Sequence, residues 1–167
     1  MFRFAIAALL IGSAFAAESN APAAAPPQWT TGAPRPEIIP SFGWNPQGGR
    51  SGKGAFTIET DAREGLAGFW TRSFPVNGGQ YYRFVAYRRV FGAQWPQHAG
   101  VATVQWYDAE GKRVLDDRPL VKVVLEGFKS LTPLEHPVDR ATDSAGWTEV
   151  SAVWQAPSTA KQARVQL

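Results

Sequence analysis

Through most of the chain, apolar residues recur at every second position in short runs separated by Gly, Pro, Asn and Asp. This is the period of strands with one face buried. "GAFTIET" places Phe56 and Ile58 on one face, and "GFWTRSFPV" places Trp70, Phe74 and Val76 on one face with Arg72 among them. "QYYRFVAYRRV" divides Tyr82, Phe84, Ala86 and Val90 from Tyr81, Arg83, Val85, Tyr87 and Arg89. "VATVQWYDAEGKRV" holds Ala102, Val104 and Trp106 inward, then turns at residues 108–111 and returns. "VKVVL", "WTEVSAVW" and "ARVQL" follow, and "PEIIPSF" precedes them all. "VNGGQ" reads as a turn whose glycines tolerate positive φ. No run carries a helical period. The pattern predicts an all-β antiparallel sandwich of about eight strands.

Three segments stand apart from this pattern. "MFRFAIAALLIGSAFA" has a basic start at Arg3, an apolar run over residues 4–11 and small residues at Ala14 and Ala16. These are the parts of a secretory signal peptide cut after Ala16, and the run is shorter than the roughly 20 residues of a membrane span. Residues 1–16 are therefore expected to direct export to the periplasm or beyond, with no membrane span. Residues 17–32 are rich in Ala and Pro and read as an extended tether, leaving 33–167 as one β domain. The stretch 118–145, with three prolines and several turn formers, reads as a long loop over one end of the sandwich.

Composition narrows the chemistry. The chain has no cysteine, which excludes thiol nucleophiles, thiolate metal sites and disulfides. Seven Trp, ten Phe and four Tyr supply core bulk instead. The net charge of +3 becomes +2 once Arg3 leaves with the leader. With acidic residues scattered throughout, that is not the basic stripe of a nucleic-acid binder.

Catalytic motifs are not found. "GGRSGKGAF" has Gln47 where a phosphate loop requires glycine and Gly54 where it requires Ser or Thr, and it precedes a strand. His98 and His136 lie in no metal-ligand pair, and no G-x-S-x-G elbow surrounds a serine. Glu59, Asp61 and Glu64 cluster in "IETDAREG", and Asp116 and Asp117 adjoin. Paired carboxylates serve glycoside hydrolysis only across a cleft, so these read as solvated turn residues. A structural calcium ion on Asp61 or Glu64 has no loop signature behind it, and no cofactor is expected.

Aromatic residues are in excess. Trp70, Trp106 and Trp154 fall in phase with apolar neighbours and belong to the core, while Trp147 opens a strand. Trp44 in "GWNP" and Trp95 in "AQWPQH" read as loop residues beside proline. Exposed aromatic rings stack on the apolar face of a sugar, and nearby Arg, Gln or Asn bond its hydroxyls. Trp44, Trp95, the face Tyr81–Arg83–Tyr87 and its expected neighbours Gln105 and Tyr107 form the candidate ligand-binding set. The same residues would equally cover a second apolar layer or an interface with another domain.

The succession "GFWTRSFPVNGGQYYRFVAYRRV", "VQWYDAEGKRV", "GWTEVSAVWQAP…ARVQL" resembles a galactose-binding-like jelly roll of the carbohydrate-binding-module type. More narrowly, "EGLAGFWTRSFPV" with "HPVDRATDSAGWTEVS" is similar to the domain preceding the catalytic part of exported bacterial carbon-nitrogen hydrolases of the nitrilase type. The resemblance implies a non-catalytic binding or accessory module, with carbohydrate or a C-terminal hydrolase domain as partner. It also implies a fragment role, in which a final strand beyond Leu167 pairs with "ARVQL" or its neighbours. The Glu-Lys-Cys triad of those hydrolases is absent, since this chain has no cysteine, and no catalytic residue is carried over.

Overall fold

The alternating runs do become strands, and their two faces sort into inside and outside. The structure, a computed structural model, describes residues 2–7, 24–118 and 132–167. Among them the strands are β1 (Phe2–Ala7), β2 (Thr30–Gly32), β3 (Ser41–Asn45), β4 (Ala55–Thr60), β5 (Phe69–Pro75), β6 (Tyr81–Phe91), β7 (Thr103–Tyr107), β8 (Val138–Thr142), β9 (Thr148–Gln155) and β10 (Gln162–Gln166). One helical turn, α1 (Pro96–Ala99), follows β6, and Pro36–Ile38 form a 3₁₀ turn. Six strands lie in the order β3-β4-β1-β6-β9-β8 and four in the order β2-β5-β10-β7. All pairings are antiparallel, so the molecule is an all-β sandwich.

The inward faces are those the period assigns. Trp70 and Val76 of the β5 run are buried, Phe84 and Ala86 of β6 pack into the core, and Val104 and Trp106 of β7 are buried. Phe56 on β4, 1% exposed, sits among three tryptophans. Its ring centroid lies 4.9 Å from Trp29, 4.8 Å from Trp44 and 4.7 Å from Trp70, each tilted. Tilted rings avoid face-to-face repulsion and add about 0.5–1.5 kcal/mol per pair to their area burial. Arg88 is the exception on the inner face of β6. It is buried, donating to the Gly100 carbonyl at 2.8 Å and pairing with Asp139 on β8.

Several expectations are revised. Ten strands stand where about eight were read. β8 lies inside the stretch 118–145 that reads as loop; it is an edge strand, exposed throughout, so it shows no alternation. Trp29 is buried and β2 pairs with β5, so in this structure the sandwich starts ahead of residue 33. β1 lies within the stretch read as a leader and pairs with both β4 and β6. The "VKVVL" strand lies outside the described residues. "ARVQL" is no open edge: β10 is flanked by β5 on one side and β7 on the other, so a further strand does not pair with it.

The turn "VNGGQ" needs its glycines for two different reasons. Gly79 has φ +80°, which disfavours any Cβ. A Cβ on Gly78 would come 2.0 Å from the Ser158 carbonyl oxygen, a backbone atom that cannot swing aside.

Two substitutions test this packing by denaturant unfolding. Phe56→Ala should cost about 3–5 kcal/mol, the range for a large aromatic removed from a filled core. Gly78→Ala should cost about 1–3 kcal/mol by overpacking. A loss below 1 kcal/mol for Phe56→Ala would mean that the tryptophans close around the gap and that Phe56 is not their hub.

Candidate functional site

Strand β6 is long enough to carry an outward row of six side chains: Tyr81, Arg83, Val85, Tyr87, Arg89 and Phe91. The register with β9 sets Gln155 opposite Tyr81, Val153 opposite Arg83, Ser151 opposite Val85 and Glu149 opposite Tyr87. Tyr81 is 70% exposed and Val153 is 61% exposed. The strip therefore mixes open aromatic rings at its two ends, Tyr81 and Phe91, with apolar flanks, two arginines and amide or hydroxyl groups.

Two loops wall one end of the strip. Arg50, in the turn between β3 and β4, places its guanidinium 4.4 Å from the Tyr87 ring centre. Its Nε donates to Asp143 Oδ2 at 2.9 Å. Asp143 in turn accepts from the backbone N–H of Ala145 at 3.1 Å and of Trp147 at 2.9 Å through Oδ1, which folds the β8–β9 turn around the carboxylate. The Tyr87 hydroxyl donates to Glu149 Oε2 at 3.3 Å. Arg89 lies 4.9 Å from the Trp147 ring and donates to the Ala145 carbonyl at 3.2 Å. The hydrogen bond from Arg50 holds the Asp143 carboxyl below its ordinary range, helped by the Trp147 N–H, and raises the Arg50 guanidinium. A 350 Å³ depression beside this end is lined by Gly43, Asn45, Thr57, Glu59, Arg89 and Trp147, among others.

The seven expected residues do not form one site. Tyr81, Arg83 and Tyr87 share the β6 strip. Gln105 and Tyr107 lie on β7, which belongs to the other sheet and has β10 as its neighbour. They are not adjacent to the β6 row. Tyr107 is buried, donates to Gln105 Oε1 at 2.8 Å and is covered by the Arg164 guanidinium at 4.0 Å. Trp44 is not a loop residue: β3 carries it inward, against Phe56. Gly54, with φ +116°, makes room for it, since a Cβ there would lie 2.2 Å from the indole. Trp95 is 61% exposed and stands at the far end of the sandwich. It lines a 620 Å³ cleft with Ile58, Thr60, Phe69, Val101 and Leu167.

The carboxylates fall into structural pairs. Asp61 is held by both the side chain and the N–H of Arg63, and Asp116 by Arg118 in the same manner. These guanidinium bonds lower both carboxyl pKa values. Glu135 is pushed up by burial, against the pull of Arg118. Among the described residues, no group of three or more His, Cys, Asp or Glu side chains is arranged to hold a metal ion. No described helix is long and apolar enough to cross a membrane. The absence of cysteine excludes a nitrilase-type triad from this chain.

Arg50, Asp143 and Glu149 escaped the sequence reading, which placed Trp147 only at the opening of a strand. The pairing of Arg50 with Asp143 spans 93 positions, and only the "TDSAGW" turn pattern offered a local signal. Comparison with family models, with curated proteins and with solved structures finds no match to the chain.

Acid should loosen this wall. Asp143 is charged in the folded state below the pH at which an unfolded aspartate, near 3.9, takes up its proton. Its contribution is therefore complete above about pH 4 and is lost as pH falls through its lowered folded value. Melting temperature followed from pH 6 to pH 2 should fall more steeply for the wild type than for Asp143→Asn. Parallel curves would show that Asp143 contributes no linkage.

Proposed function

We propose that this protein is a non-catalytic, exported β-sandwich module that binds carbohydrate through the outer face of its six-stranded sheet. The observation that carries the reading is the β6 strip, where the open ring of Tyr81 stands beside Arg83 and Gln155 on a rigid strand pair. A sugar ring offers an apolar face to stack on such an aromatic ring and hydroxyls that bond guanidinium and amide groups. The wall of Arg50, Asp143 and Glu149 limits how far along the strip a chain of sugars extends. Residues 1–16 carry the export signal in this reading.

A second reading has its own support. Tyr81, Val85, Val138 and Val153 are all exposed on the same face, and exposed apolar groups on a sheet also suit burial against an attached domain. In that case the module is an accessory of a hydrolase joined in the same polypeptide, and the strip serves packing.

Titration calorimetry against a panel of polysaccharides and oligosaccharides separates the two. Carbohydrate binding predicts heat with at least one glycan. Tyr81→Ala should then weaken it by about tenfold or more, equal to about 1.4 kcal/mol, while Trp95→Ala leaves it unchanged. No heat with any glycan contradicts the carbohydrate reading and leaves the packing role.

A further inference from the structure

The guanidinium groups on the outer face of the six-stranded sheet divide into those that are engaged and those that are not. Arg50 pairs with Asp143, and Arg89 lies over the rings of Phe91 and Trp147 at 4.8 and 4.9 Å. Arg83 and Arg140 are both exposed. Among the described residues neither pairs with a carboxylate.

The ladder brings these two cations to one patch. Val85 stands opposite Ser151 on β9, and Ser151 stands opposite Val138 on β8. Arg83 is two residues along from Val85, about 7 Å at the rise of a strand. Arg140 reaches sideways from β8, and its Nε donates to Ser151 Oγ at 3.3 Å. Its guanidinium therefore lies over β9, with the buried Ser151 beneath it. Among the described residues, the rungs Tyr81–Gln155, Arg83–Val153 and Val85–Ser151–Val138 carry no carboxylate. The first one along β9 is Glu149 on the next rung, which accepts from the Tyr87 hydroxyl.

We propose that the glycan taken by this strip is acidic: a chain of sugar units bearing carboxylates, which Arg83 and Arg140 receive while the Tyr81 ring stacks on a sugar face. The proposal rests on the carbohydrate reading above and names its substrate class. Its main support is the balance of donors and acceptors. A neutral sugar presents hydroxyls, each of which donates as well as accepts. The two guanidiniums only donate. Gln155 already commits its amide N–H to the Gly79 carbonyl at 2.9 Å, so its oxygen and the hydroxyls of Ser151 and Tyr81 are the side-chain acceptors of these rungs. An ionised carboxylate only accepts, and its two oxygens match the fork of a guanidinium.

Charge points the same way. Two cations on one patch repel each other, and an anion between them removes that cost. The exposed Val85, Val138 and Val153 exclude water once a sugar ring covers them, and ion pairs strengthen as the local dielectric falls. Glu149 repels an acidic chain from the walled end of the strip. The chain therefore crosses the strands, from Tyr81 on β6 toward Arg140 on β8.

Titration calorimetry with two polyuronates, polygalacturonate and polymannuronate, and with the methyl ester of each isolates the carboxylate. Esterification removes the charge and keeps the sugar. At least one acid should bind about tenfold more tightly than its ester, because exposed ion pairs are worth up to a few-fold each and two act together. Arg83→Gln and Arg140→Gln should each lower that ratio by about threefold. Both side chains are exposed, so these variants should melt with the wild type, which checks their folding separately. Arg164→Gln removes the same charge from the opposite sheet and should leave the ratio intact. Equal affinity for acid and ester, or heat with neutral glycans alone, overturns the proposal and leaves the carbohydrate reading standing. No heat with any glycan overturns both. A ratio lowered equally by Arg164→Gln traces the preference to net charge and overturns the proposal. Tighter binding of single-stranded DNA than of either polyuronate overturns it as well, since attraction to charge then needs no sugar.

Discussion

Among the described residues, two parts of the larger sheet, β3-β4 and β6-β9-β8, are joined in one ladder only through the strand between β4 and β6. The continuity of the larger sheet depends on that strand. β4 carries Phe56, around which Trp29, Trp44 and Trp70 pack, and β6 carries the outward row of Tyr81, Arg83 and Tyr87. A backbone left without partners in the middle of a sheet costs far more than one at an edge, since water cannot reach both sides. The central strand thus links the strand that carries the core's aromatic hub to the strand that carries the outer row.

The outer face gains its shape from partners far apart in sequence. Arg50 leaves the β3–β4 turn, covers Tyr87 and bonds Asp143 in the β8–β9 turn, so it ties together the two parts of the sheet that the central strand joins. These ion pairs are solvent-exposed and worth little individually; their role is to fix loop positions. The opposite sheet closes its outer face differently. There Tyr107 satisfies its own hydroxyl through Gln105 and lies beneath Arg164, which covers its ring. The asymmetry places the exposed aromatic and apolar groups of the strips considered on the six-stranded side.

The fold was largely legible because half-buried strands have a period of two, and β4, β5, β6, β7, β9 and β10 all show it. What escaped detection has physical reasons. β8 is exposed on both faces and so carries no apolar alternation. β2 is three residues long, too short for any period. Trp44 stands two residues before Pro46, which marked a loop, but the strand ends only at Asn45. Gln105 and Tyr107 show the limit for the site: alternation says which way a side chain points, not which sheet its strand joins. The strip on β6 was readable because its residues share one strand, whereas its wall required contacts across 62 and 93 positions. The ending "ARVQL" was read as a strand, as the structure has it, but both its edges are already taken by β5 and β7.

Amide hydrogen exchange on residues 17–167, compared with the full chain, tests the dependence on the central strand most directly. Without residues 1–16 and with nothing added, amides of β4 and of the second half of β6 should exchange much faster, while β5 and β10, paired in the other sheet, keep their protection. Equal protection of β4 and β6 in the two chains would contradict the account.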